Sequence, residues 1–84
     1  MEKDKLVDVL DEYMAKSEIH SNQWVFGKNR VFFNKTGKRL CIRNEYGGSE
    51  IDIISVHACE MWNGTLFFND KNTHAIAYFN SVDL

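Results

Sequence analysis

Proline is missing from this 84-residue sequence, cysteine occurs twice, glycine five times, and the net charge is only −2. A chain this short and this balanced suits one compact domain and excludes multidomain and fibrous readings. No apolar run approaches the roughly 20 residues of a membrane-spanning helix, and no apolar stretch follows Met1-Glu2-Lys3-Asp4-Lys5 as a secretion signal would require. The expected compartment is therefore cytoplasmic, where a Cys41–Cys59 disulfide is not expected. With 44% apolar and 26% charged residues, the chain is too hydrophobic for a disordered tail. A domain of this size buries only roughly 60–65% of its unfolded surface, which allows one core and little spare stability.

Motifs that carry chemistry are also scarce. Cys41, Cys59, His20, His57 and His74 include neither a close cysteine pair nor a second pair at fixed spacing, so no metal site is expected. His57 and Cys59 read instead as a sheet-face histidine beside a buried free thiol. Neither cysteine has an orienting residue or an oxyanion loop at a telling spacing, which leaves nucleophilic catalysis unsupported. Asp8, Asp11 and Glu12 share one helix face, as solvated carboxylates do, while Asp52 and Glu60 flank an apolar row and form no acid/base pair. Asn34-Lys35-Thr36 and Asn63-Gly64-Thr65 match glycosylation acceptors but read better as turns. The expectation is a protein that is not an enzyme and needs no cofactor.

What is present begins with the distribution of charge. Residues 1–18 sum to −3, residues 19–43 to +6 with no acid at all, and residues 44–84 to −5. Either an acidic helix packs near a basic hairpin and the charges offset one another, or a basic face awaits an acidic partner. Eight Asn, seven Lys, six Ile and six Phe are residues of A/T-rich codons. That bias suggests a low-GC genome of the kind many phages and some Gram-positive bacteria have.

Between Asp4 and Lys16 the apolar residues Leu6, Val9, Leu10, Tyr13 and Met14 recur at helical spacing, with acids in the first turn and Lys16 in the last. Ser17, Ser21 and Asn22 end that pattern. After Gln23 the period falls to two, and strands are expected at Trp24–Phe26, Arg30–Asn34, Lys38–Arg43, Ile51–Trp62, Thr65–Asn69 and Thr73–Phe79. Lys35-Thr36-Gly37, Asn63-Gly64 and Asp70-Lys71-Asn72 supply turns, and Gly47-Gly48 a looser connection. Adjacent Ile53 and Ile54 break the alternation of the fourth strand, so a bulge or sharp bend is expected there. A short helix over Ser55–Met61 is the alternative. The fold class that follows is α+β: an N-terminal amphipathic helix on an antiparallel meander of five to six strands, with a small curled barrel as one form of it.

Two constellations suggest binding. The first interleaves cations and rings: Trp24, Phe26, Lys28, Arg30, Phe32 and Phe33, followed by Lys35, Lys38, Arg39 and Arg43. Strand parity turns Val31, Phe33, Leu40 and Ile42 inward and Arg30, Phe32, Arg39, Cys41 and Arg43 outward. Single-stranded nucleic acid is held by such mixtures, cations on phosphates and rings on bases, although the slightly acidic chain argues the other way. The helix followed by Arg30-Val31-Phe32-Phe33-Asn34-Lys35-Thr36-Gly37-Lys38-Arg39-Leu40 resembles the first motif of Sm-like RNA-binding proteins. That resemblance implies a strongly bent five-stranded barrel. The family's late Arg-Gly pair and the aspartate of its first motif have no counterpart here, so no functional residue is carried over.

The second constellation is aromatic. Trp62, Phe67, Phe68, Tyr78 and Phe79 offer more ring surface than one sheet face can bury, and exposed rings are the usual anchors of protein interfaces. The preferred reading is a small stoichiometric inhibitor or adaptor of the phage accessory type, anti-host or anti-defence, that occludes a site on a larger host or defence protein. Lys28, Arg30, Phe32, Lys35, Lys38, Arg39, Arg43 and Trp62 are the candidate partner-binding residues. A single-stranded RNA- or DNA-binding domain using hairpin 28–43 is the alternative, and pairing of copies through an open edge strand is a third possibility.

Overall fold

The computed structural model describes residues 1–20 and 22–80; Ser21, read above as part of the break after the helix, and residues 81–84 lie outside that description. Helix α1 spans Lys3–Tyr13 and buries Leu6 and Leu10 completely. It stops short of the expected Lys16 because Met14 turns to an extended conformation, its N–H still donating to the Leu10 carbonyl. Ala15–Lys16 then form a short strand, β1, paired with Val25 and Trp24. Cross-strand pairing there replaces the last helical turn, and buried Met14 joins the core.

Seven further strands follow: β2 (Gln23–Phe26), β3 (Asn29–Phe33), β4 (Arg39–Asn44), β5 (Gly47–Asp52), β6 (Ala58–Trp62), β7 (Thr65–Asn69) and β8 (Ala75–Asn80). They form two antiparallel sheets, ordered β1-β2-β3-β4-β5 and β6-β7-β8, and the sheets do not close into a barrel. The α+β class therefore stands without the curled barrel that the Sm-like resemblance implied.

The fourth expected strand, Ile51–Trp62, is two strands in different sheets. A single 3-10 turn, Ile53–Ser55, falls where the adjacent isoleucines break the alternation. Ile53 packs against the core while Ile54 is 86% exposed, which no continuous half-buried strand with Val56 inside would allow. The crossing is fixed by hydrogen bonds from Ile53 N to the Lys38 carbonyl (3.0 Å) and from His57 N to the Asn69 carbonyl (2.7 Å). The Met1 backbone nitrogen adds bonds to the carbonyls of Ile53 and Val56. The alternative helix over Ser55–Met61 is absent, because Ala58–Trp62 pair with β7.

Gly47 and Gly48 are likewise strand residues, and the β4–β5 turn is Glu45-Tyr46. Gly48 lies opposite Arg43, whose side chain folds across it. A Cβ built there would come within 2.5 Å of both the Arg43 side chain and the Ile42 carbonyl oxygen. Close approach, not turn formation, explains this glycine. At Asn63-Gly64 the expected hairpin turn is present, with φ of 54° and 77°, the positive pair that a two-residue connection requires.

The core draws on all three layers: Leu6 and Leu10 of α1, Trp24, Val31, Leu40 and Ile42 of the larger sheet, and Leu66, Phe68 and Phe79 of the smaller one. Phe26 meets Phe79 edge to face at 5.2 Å across the two sheets. Asn29, 1% exposed, completes the join. Its side-chain nitrogen donates to the carbonyls of Phe26 (3.1 Å) and Asn80 (3.0 Å), and its oxygen accepts from the Asn44 side chain at 3.1 Å.

Candidate binding surfaces

On the outward face of the five-stranded sheet, the register brings most of the basic hairpin together. One row runs Gly48, Arg43, Arg30, Val25; the next runs Glu50, Cys41, Phe32, Gln23; and Arg39 lies opposite Asp52. Strand β5 thus threads carboxylates through the arginines. Arg39 Nε donates to Asp52 at 3.0 Å and its Nη1 lies 3.8 Å from Glu50, while Arg43 Nη2 lies 4.0 Å from Glu50. Arg43 also spends Nη1 on the carbonyls of Ile42 and Ser49. Two of the three arginines are neutralised within the fold, and Arg30 alone of them has no carboxylate partner among the described residues. The signal was in the sequence: Glu50 and Asp52 share the parity of a strand that must lie beside Lys38–Arg43.

The remaining hairpin cations are dispersed. Lys28 is exposed in the turn between β2 and β3, and Lys35 and Lys38 project from the loop between β3 and β4. That loop is organised by Asn34, whose side-chain oxygen accepts from the backbone N–H groups of Lys38 and Arg39, each at 3.1 Å. Phe32 faces outward as expected but is half-buried. Cys41 also faces outward, yet it is only 3% exposed between its strand neighbours Phe32 and Glu50. Burial, and then its hydrogen bond to Glu50 (3.1 Å), raise the Cys41 thiol above its ordinary pKa. Burial pushes the Cys59 thiol up to about 12. Both sulfurs are free, lie in different sheets, and are poor thiolates at neutral pH. Asp70 moves the other way: the His74 N–H, with help from that of Asn72, holds its carboxylate below the usual range and closes the β7–β8 turn.

Trp62 lies apart from the hairpin, on the outward face of the three-stranded sheet. The register there opposes Trp62 to Thr65 and Asn80, and Glu60 to Phe67 and Tyr78. Trp62 is 70% and Tyr78 64% exposed; Phe67 is half-buried, with its ring centroid 5.8 Å from that of Tyr78. Ile76, skipped where the β7–β8 register shifts, lies instead beside Met1, Ile54 and Val56. The described chain leaves Trp62 and Tyr78 largely open. Parity and the surplus of rings pointed to this surface, but sequence alone did not say which rings were inside; Phe68 and Phe79 are.

Among the described residues no three His, Cys, Asp or Glu side chains cluster as a metal would require, and no helix is long and apolar enough to cross a membrane. Comparison of the chain with protein-family models, with curated proteins and with solved structures finds no match.

Proposed function

We propose that this chain is a non-enzymatic protein-binding module that occludes a site on a larger protein, using the outward face of the three-stranded sheet. The supporting observation is that exposed Trp62 and Tyr78 share one face of the three-stranded sheet with half-buried Phe67, whose ring meets that of Tyr78. Rings held by strand pairing lose little freedom on docking, which is what makes tryptophan and tyrosine effective anchors. Glu60, exposed between Trp62 and the Phe67–Tyr78 pair, gives the patch one negative charge and calls for a partner that presents a cation beside an apolar pocket. The basic hairpin contributes less to this reading than its composition promised, because Arg39 and Arg43 already hold Glu50 and Asp52. Small size and A/T-rich residue usage fit an accessory inhibitor of the phage type, directed at host or defence machinery.

Affinity capture from a low-GC bacterial host, compared across variants, tests the proposal. A stoichiometric partner retained by the native chain and by Lys28→Glu, but lost from Trp62→Arg and Tyr78→Arg, is the expected result. Equal retention by all four proteins, or loss only with Lys28→Glu, would contradict it.

A further inference from the structure

A cleft of about 640 Å³ opens at the end of the larger sheet, where β2 begins at Gln23 and β3 runs on past it to Phe33. The start of α1 closes one side, and Lys16, His20 and Asn22 close another. Its walls carry Lys3, Lys16, Lys35 and His20, and no carboxylate is among the described lining residues. Asp11, just outside, offsets Lys16 at 3.5 Å while accepting the Trp24 indole N–H at 2.8 Å. Lys3 and Lys35 form no ion pair among the described residues. In a chain of net charge −2, this is a local concentration of unpaired positive charge with low-dielectric walls, which attracts anions.

The same cleft is floored by rings. Trp24 meets Phe33 edge to face at 5.8 Å, and the Lys3 ammonium sits 5.1 Å above the Phe33 ring, a cation–π contact that anchors the lysine at the rim. Phe32, half-buried, presents the remaining aromatic surface. The side-chain amides of Asn22, Gln23 and Asn34 complete the lining. Asn34 uses its oxygen to organise the β3–β4 loop, and among the described residues neither its side-chain nitrogen nor the half-buried Gln23 amide makes a hydrogen bond.

The geometry points to a nucleoside phosphate as the occupant: the base stacked on Phe32 with its edge toward Gln23 and Asn34, and the phosphate between Lys3 and Lys35. A purely anionic ligand would leave the rings and amides unused, and a neutral aromatic one would leave the lysines unused. The cleft stands on a different surface from the Trp62 patch and does not depend on it. A free nucleotide and a single nucleotide of an RNA or DNA strand share this chemistry.

Amide chemical shifts of the 15N-labelled chain test the site. Titration with adenosine 5′-monophosphate should move the Gln23, Phe33 and Asn34 signals saturably, while adenosine and inorganic phosphate should each bind at least about tenfold more weakly. The double variant Lys3→Gln/Lys35→Gln, and separately Phe32→Leu, should each weaken binding about tenfold; Lys71→Gln, in the β7–β8 turn, should leave it unchanged. A five-nucleotide adenylate that binds tenfold tighter than the monophosphate assigns the site to a strand, and one that binds no tighter assigns it to a free nucleotide. Absence of saturable shifts at these residues, phosphate binding as tightly as the monophosphate, or affinity unchanged by both cleft variants would overturn the assignment. The dispersion of each variant's own spectrum reports whether it has folded, and Phe32→Leu and the lysine variant provide independent routes to the answer.

Discussion

Asn29 is buried between the two sheets with three hydrogen bonds, to Phe26, Asn80 and Asn44. Replacement by leucine leaves the Asn80 carbonyl and the Asn44 amide without that partner, so Asn29→Leu should cost about 1–3 kcal/mol in urea unfolding despite the added apolar volume. An unchanged midpoint would show that the join rests on Phe26 and Phe79 alone. Nothing in the sequence marked this residue, because an asparagine beside a Gly-Lys turn reads as surface. Its role depends on β8, fifty residues away, coming back to meet it. Cys59 supports a second prediction. With its folded pKa raised to about 12 from an ordinary 9.0, its contribution is fully present below pH 9 and is lost as pH rises toward 12. Stability should therefore fall through that window by at most about 1.4 kcal/mol per pH unit, and Cys59→Ala should flatten that part of the curve. Equal slopes for the two proteins would mean that the thiol is not the group responsible.

Among the elements, local chemistry was easiest to read where it is strongest. Asn63-Gly64 identified its hairpin, Thr65–Asn69 is a strand with the bounds expected, and the helical stripe Leu6–Leu10 faces the core. The errors lie where a long-range contact outweighs the local pattern. β1 exists because Val25 and Trp24 pair with it, and β5 reaches back to Gly47 because Arg43 and Asn44 of β4 pair with Gly48 and Gly47. Ile53 and Ile54 announced a bend, but only the positions of the two sheets decide that the bend is a change of sheet. Thr73 is the strained position. It holds φ at 64°, a conformation costly for a β-branched residue and tolerated by asparagine, so β8 starts at Ala75, after the expected Thr73. Thr73→Asn should stabilise the chain by about 1 kcal/mol, seen as a rise in Tm of about 4–8 °C for a domain of this size. A fall in Tm would show that the Thr73 hydroxyl bond to the Asn72 carbonyl matters more than the backbone strain.

For the whole molecule, the near-neutral total of −2 conceals an arrangement more than a balance. The basic segment does pack beside acidic residues, but the partners of Arg39 and Arg43 come from β5, not from the N-terminal helix. That internal pairing uses much of the charge that made the hairpin look like a binding face. Lys3 and Lys35, which form no ion pair among the described residues, instead line the cleft beside α1, and Trp62 and Tyr78 lie exposed on the far sheet. Sequence identified both kinds of residue and could not place them, since parity fixes a face only once the strand's neighbours are known. At this scale the outward face of the three-stranded sheet is where a partner docks. Site-specific photocross-linking reads that docking out, with Trp62→p-benzoylphenylalanine compared with Tyr46→p-benzoylphenylalanine, a similarly exposed ring on the β4–β5 turn. One discrete cross-linked species from position 62 and none from position 46 is expected; cross-linking from 46 alone, or from neither, would rule this docking face out.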